Sequence, residues 1–202
     1  MAPKAPDKVL RLARKRGGLS RRDVTRAGIH TQALTRLVGT GALDRVSRGH
    51  YRLSDAPLTE NHGLAIVSSA APRAVICLLS ALSFHHIGTQ LPHEVWIALD
   101  RRDRRPTLYY PKLRIHRFGG KALTEGIEIH RIEGESVRVY GVAKTLADVF
   151  KYRNKIGLDV ALEALRDARR GRRFAMDELT HYARICRVDR VMEPYLTAMV
   201  AS

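Results

Sequence analysis

The chain is 202 residues long, 45% hydrophobic and 28% charged, a profile that argues for one or two folded domains and against a disordered or fibrous chain. No run approaches the roughly 18 apolar residues a membrane helix needs, and the opening "MAPKAPDKVLRLARKR" lacks the apolar core of a secretory signal, so a cytoplasmic protein with no membrane partner is expected. Lysine and arginine number 36 against 20 acids, a net charge of +16, and residues 1 to 55 alone hold 13 basic and 4 acidic side chains; a polyanion contact is expected at the front.

In chain order, "DKVLRLARKR" (7 to 16) sets Val9, Leu12, Ala13 and Arg16 on one helical face with Leu10 beside it, and Gly17-Gly18 is expected to stop that helix. Ser20 stands three residues before Asp23, a capping-box variant, and Val24 and Ala27 continue an apolar side as far as Gly28. In "TQALTRLVGTG" (31 to 41), Leu34, Leu37 and Val38 form an inward stripe, Gly39 and Gly41 end the helix, and Thr31, Gln32, Thr35 and Arg36 face out. "GALDRVSRGHYRLSD" (41 to 55) then reads as a hairpin. Leu43, Val46, Tyr51 and Leu53 anchor it, Gly49 supplies the turn, and Arg45, Arg48, His50 and Arg52 have no apolar role.

Three short helices followed by a basic hairpin is the order of a winged helix-turn-helix, with the third helix in the major groove and the hairpin as wing. A solvated polar face would account for any one of these residues, but helix order, short connections and a basic hairpin agree. Gln32 has the amide geometry to read adenine, Arg36 to read guanine or clamp a phosphate, and Thr31 and Thr35 to offer hydroxyls or methyls. Arg45, Arg48, His50 and Arg52 would lie along the phosphates or the minor groove.

The stretch "LSRRDVTRAGIHTQALTRLVGTGALDRVSRGHYRL" resembles the N-terminal domain of the AbiEi family of antitoxins and transcriptional regulators, with Gly41, Leu43, Arg45, Val46, Arg48, Gly49 and Tyr51 matching its wing pattern G-x-L-x-R-V-x-R-G-x-Y.

The composition shifts at "SDAPLTEN" (54 to 61), which divides a DNA-binding domain, 1–55, from a second domain, 60–202. The second domain is expected to be mixed α/β, making the chain α+β as a whole. A helix over 60 to 69 leads to a buried strand in "RAVICLL" and a helix in "LLSALSFHHIG". Strands follow at 94 to 100, 113 to 118, 126 to 132 and 136 to 140, and several helices from Val142 to the end. "AVICLLSALSFHHI", "LPHEVWIAL" and "GVAKTLADVF" are similar to the C-terminal region of AbiEi-type proteins. The resemblance implies a non-enzymatic protein without a cofactor. It would bind operator repeats in double-stranded DNA, repress its own operon, and counteract a nucleotidyltransferase-type toxin encoded by the adjacent gene.

Other chemistry is less well supported. His85, His86, His93 and Glu94 lack metal-ligand spacing, and for Asp100 and Glu128 as nuclease carboxylates no lysine sits two residues after Glu128, where His130 stands instead. Cys77 and Cys186, far apart and in apolar runs, are expected as buried free thiols. The run "DRRDRRP" holds Arg101, Arg102, Arg104 and Arg105, either a solvated loop or a surface for an acidic toxin or RNA, and "RDARRGRR" (166 to 173) is a further basic run. A winged-helix regulator with a ligand-sensing or oligomerisation domain is the alternative reading, and a metal-dependent nuclease the third.

Overall fold

A computed structural model describes residues 4–16, 18–47, 49–56 and 59–200. Packing divides the chain into two compact units, 1–72 with 130–137, and 73–129 with 138–202. The 54–61 junction therefore lies inside the first unit, and the segment 130–137, roughly seventy residues further along the chain, joins it.

In the first unit, α1 (Ala5–Arg16) buries Val9 and Ala13 and leaves Leu12 half-covered. A two-residue strand, β1 (Leu19–Ser20), which the sequence does not announce, precedes α2 (Arg21–Arg26) and α3 (Gln32–Gly39). Strands β2 (Leu43–Ser47) and β3 (His50–Leu53) form the hairpin, and β1 adds to it antiparallel, giving the order β1-β3-β2. Val9, Ala13, Leu19, Val24, Ile29, Leu34, Leu37, Leu43 and Leu53 pack as one core. Helix α4 (His62–Ala70) completes the stretch. Three helices with a three-stranded sheet make this a winged helix-turn-helix.

The second unit is built on a five-stranded sheet of order β6-β5-β4-β8-β7, from β4 (Val75–Ile76), β5 (Val95–Asp100), β6 (Leu113–Phe118), β7 (Ile127–Ile132) and β8 (Glu135–Tyr140). Strand β5 is apolar and buried from Val95 to Leu99 because it lies between β4, antiparallel, and β6, parallel. The outer end of the β7–β8 hairpin, 130–137, is the segment that belongs to the first unit.

Helices α5 (Leu78–Phe84), α6 (Lys121–Thr124), α7 (Val142–Lys151), α8 (Arg153–Ile156), α9 (Leu158–Arg170), α10 (Met176–Cys186) and α11 (Asp189–Val200) cover the sheet. Every residue of α7 from Ala143 to Phe150 is buried, Lys144 and Asp148 included. Their i,i+4 spacing lets them pair at 2.5 Å, the ammonium also lying 4.0 Å from the Tyr140 ring centroid.

Both cysteines are free and buried. Cys186 donates to the Asp148 carboxylate at 3.2 Å. Burial pushes the Cys186 thiol up to about 12, with the Asp148 charge adding to the effect, so it is an inert thiol. Among the described residues no helix is long and apolar enough to cross a membrane.

Candidate nucleic-acid interface

The helix-turn-helix is held by caps that are local in sequence. Ser20 Oγ accepts from the Asp23 amide at 3.2 Å while the Asp23 carboxylate accepts from the Ser20 amide at 2.8 Å, a complete capping box. At the far end of α2, the Ile29 amide donates to Val24 and the Gly28 amide to Thr25, with Gly28 at φ +71°. This Schellman turn needs a left-handed residue and buries Ile29 against the core that holds Val24. Ala27, expected on the apolar side, is exposed because the chain has already left the helix. His30 then caps α3, its Nδ1 accepting from the Gln32 amide at 3.3 Å.

Helix α3 buries Ala33, Leu34 and Leu37. Gln32, Thr35 and Arg36 are exposed and Thr31 half-exposed, along one outward face. Val38, expected inside, is 36% exposed: seven residues after Thr31, it falls on the outward face, and Ala33 takes its place in the core. Gly39 remains helical. Gly41, at φ +72°, ends the helix through a second Schellman turn, with the Ala42 amide donating to Leu37 and the Gly41 amide to Val38.

The wing is fixed to α2 by a 2.7 Å bond from the Arg21 amide to the Gly49 carbonyl. Gly49 has φ +83°, and the ladder shifts register between Arg45 and Ser47, so a bulge twists the hairpin at its tip. The four expected wing contacts separate here. Arg45 is exposed. Arg48 lies outside the described residues. Arg52 is ion-paired with Asp44 at 3.2 Å and donates to the Ala56 carbonyl, so its guanidinium braces the hairpin base. His50 stands 3.7 Å from the Glu135 carboxylate, which burial raises above its usual range, Asp23 adding and His50 and Arg131 opposing.

A cleft of about 1030 Å³ opens beside the wing, and its walls carry Arg21, Arg22 and Arg26 of α2, Arg45 of the wing, and Arg131. None of the first three was singled out in the sequence, although their spacing along α2 offered the signal. Arg131 had none, because it is about eighty residues away.

That distant segment is seated by specific bonds. Glu133 accepts from the Thr59 amide (3.0 Å) and hydroxyl (2.9 Å) and pairs with His62 at 2.6 Å. Burial would raise this carboxyl, but the Thr59 amide and His62 outweigh it and hold it below the usual value. Gly18 and Gly134 face each other so closely that a side chain at either would strike main-chain atoms.

In the second unit, Arg101, Arg102, Arg104 and Arg105 are exposed in the loop after β5, together with Tyr109 and Tyr110. Among the described residues no group of three or more His, Cys, Asp or Glu is placed to hold a metal ion. His85 is buried, its Nε2 2.8 Å from the Tyr140 carbonyl. Asp100 and Glu128 sit on β5 and β7, three strand spacings apart, roughly 14 Å, too far to share an ion.

No curated protein matches the chain in sequence. Among solved structures, the crystal structure of the RV2827C protein from Mycobacterium tuberculosis is similar, with a TM-score of 0.53 and 13% identity over 90% of this chain and 72% of that one, a likeness of fold alone. Residues 7–54 match the family described as "Transcriptional regulator, AbiEi antitoxin". The matched stretch holds the capped α2, the outward polar face of α3 and the basic hairpin, so the likeness to that family covers the winged helix-turn-helix.

Proposed function

We propose that this protein is a DNA-binding regulator that represses its own operon and serves as the antitoxin to a nucleotidyltransferase-type toxin encoded beside it, acting by binding and not by catalysis. The observation that carries the reading is the outward face of α3, where Thr31, Gln32, Thr35 and Arg36 stand clear of the core in a domain of the AbiEi regulator type. Gln32 and Arg36 read base edges, and the threonines and Val38 add methyl and hydroxyl contacts. Arg45 and Arg48 of the wing, with Arg21 and Arg22 at the start of α2, hold phosphates. Arg52 and His50 support the wing from within. Residues 60–202 carry the antitoxin activity, with the Arg101–Arg105 loop as its partner surface.

The test is a gel shift on double-stranded DNA from upstream of the gene, paired with co-expression of the neighbouring gene product. Sequence-selective binding that weakens steeply with salt, together with rescue of growth, supports the reading. Failure to bind at low salt removes the repressor role, and failure to rescue removes the antitoxin role.

A further inference from the structure

A second basic site lies wholly in the other unit, and nothing in the proposed DNA-binding role uses it. A pocket of about 500 Å³ opens where β5 and β6 end, walled by Arg101, Arg117, Lys121, Lys151 and Arg187, with Asp148 at its floor. Strands β5 and β6 are parallel, and the crevice beyond the carboxyl ends of parallel strands is where α/β sheets bind ligands. The floor carboxylate does not offset the rim. Asp148 is 2% exposed and already engaged by Lys144 and Cys186. Of the lining side chains five are cations and one is a committed acid, with Lys121 also reaching Glu125 at 3.7 Å.

Two backbone features add to this. Arg187 occupies the left-handed position, φ 58° and ψ 46°, that ends α10 through a Schellman turn. Glycine takes that conformation without strain, and a side chain there costs stability. Leu78, His86, Glu133 and Arg172 share that left-handed φ, and at Arg187 it sets the side chain on the wall of the cationic pocket. Gly120, with φ 55° and ψ −143°, adopts a conformation open essentially to glycine alone, and a side chain added at Gly119 or Gly120 would meet open space. The main chain is therefore uncovered where it lines the pocket, and a ligand can approach it closely. Arg117 is held ready by bonds of 2.6 and 2.8 Å to the Asp100 and Asp103 carbonyls.

We infer that this pocket binds an oligophosphate, the phosphate tail of a nucleoside di- or triphosphate, with Arg101, Lys121, Lys151 and Arg187 closing on the phosphate oxygens. The site is independent of the DNA-binding reading. Several cations in a concave site of this volume suit a compact multivalent anion better than a single carboxylate.

The experiment is isothermal titration of the full-length protein with ATP, inorganic tripolyphosphate and adenosine. One ATP per chain should bind, tripolyphosphate should displace it, and adenosine should not. Arg101→Ala with Arg187→Ala should weaken binding at least tenfold, whereas Arg166→Ala with Arg170→Ala, which removes the same charge from α9, should change it less than twofold. Arg187→Gly separates binding from a structural role: it should melt at the wild-type temperature or above while binding ATP several-fold more weakly. Non-saturable binding, equal loss in the α9 variant, displacement by adenosine but not tripolyphosphate, or wild-type affinity in Arg187→Gly would each overturn the site.

Discussion

Gly134→Ala should damage the DNA-binding unit although it lies eighty residues beyond the family match. A β-carbon built there would sit 2.5 Å from the Gly18 nitrogen, 2.6 Å from its Cα and 2.7 Å from its carbonyl oxygen. All three are main-chain atoms, so no rotamer change relieves the clash. The left-handed backbone, φ +83°, adds about 1 to 2 kcal/mol for a non-glycine residue, and overpacking typically adds about 1 to 3 kcal/mol. The expected loss is roughly 2 to 5 kcal/mol, a large part of the roughly 5 to 15 kcal/mol that holds a domain folded. It would also pull Glu133 away from Thr59 and His62.

The assay needs two signals. Trp96, the single tryptophan, lies in the second unit, so its fluorescence follows that unit. Far-UV circular dichroism in urea sums both units, so ellipticity lost ahead of the Trp96 change, with gel shift at matched concentration, follows the first. Gly134→Ala should lower the circular-dichroism midpoint and weaken DNA binding while the Trp96 signal moves less. Gly39→Ala, in the same unit with open space around its β-carbon, is the control and should hold or gain up to about 1 kcal/mol. Wild-type urea resistance and DNA binding in Gly134→Ala would refute the claim that 130–137 is part of the first unit. By the same reasoning, a fragment ending near residue 54 should bind DNA more weakly than the whole chain.

Gln32→Ala or Arg36→Ala should cost about 1 to 3 kcal/mol on the preferred DNA and little on random DNA, whereas Arg22→Ala should weaken both alike; gel shifts on the two DNAs distinguish them, and equal losses on both for Gln32→Ala would remove its reading role. Lys144→Met should destabilise the second unit by about 3 to 5 kcal/mol by leaving the Asp148 charge buried without its ammonium, and adding Asp148→Leu should recover most of the loss in urea melts. His116, stacked on Trp96, has its pKa lowered to about 4 by burial, with Arg114 and Lys155 adding to the effect, and its Nε2 has no partner among the described residues. A histidine that stays neutral when folded contributes stability fully present above about pH 6.5 and lost as pH falls toward 4; urea midpoints should therefore drop across that window in the wild type and stay flatter in His116→Phe.

What the sequence determined by itself was whatever rests on neighbours a few residues apart. The Ser20–Asp23 box, the glycine after α2, the inward Leu34 and Leu37 and the outward Gln32, Thr35 and Arg36 all follow from helical period and capping chemistry. The strands of the second half were legible because β5 is an unbroken apolar run and β6 a β-prone segment bounded by turns. Val38 went astray because an apolar residue at a helix end can face either way, and only the position of the core decides.

Tertiary structure alone decided that Glu133 and Gly134 complete the first unit. A contact between two glycines more than a hundred residues apart leaves no pattern in either neighbourhood. It decided that Arg52 braces the wing, because a basic residue in a hairpin looks the same whether it faces a phosphate or Asp44. It also decided that Arg101, Arg117, Lys121, Lys151 and Arg187, drawn from four stretches of chain, surround one pocket. Charge is written in the sequence, but its convergence depends on where strands end and helices turn.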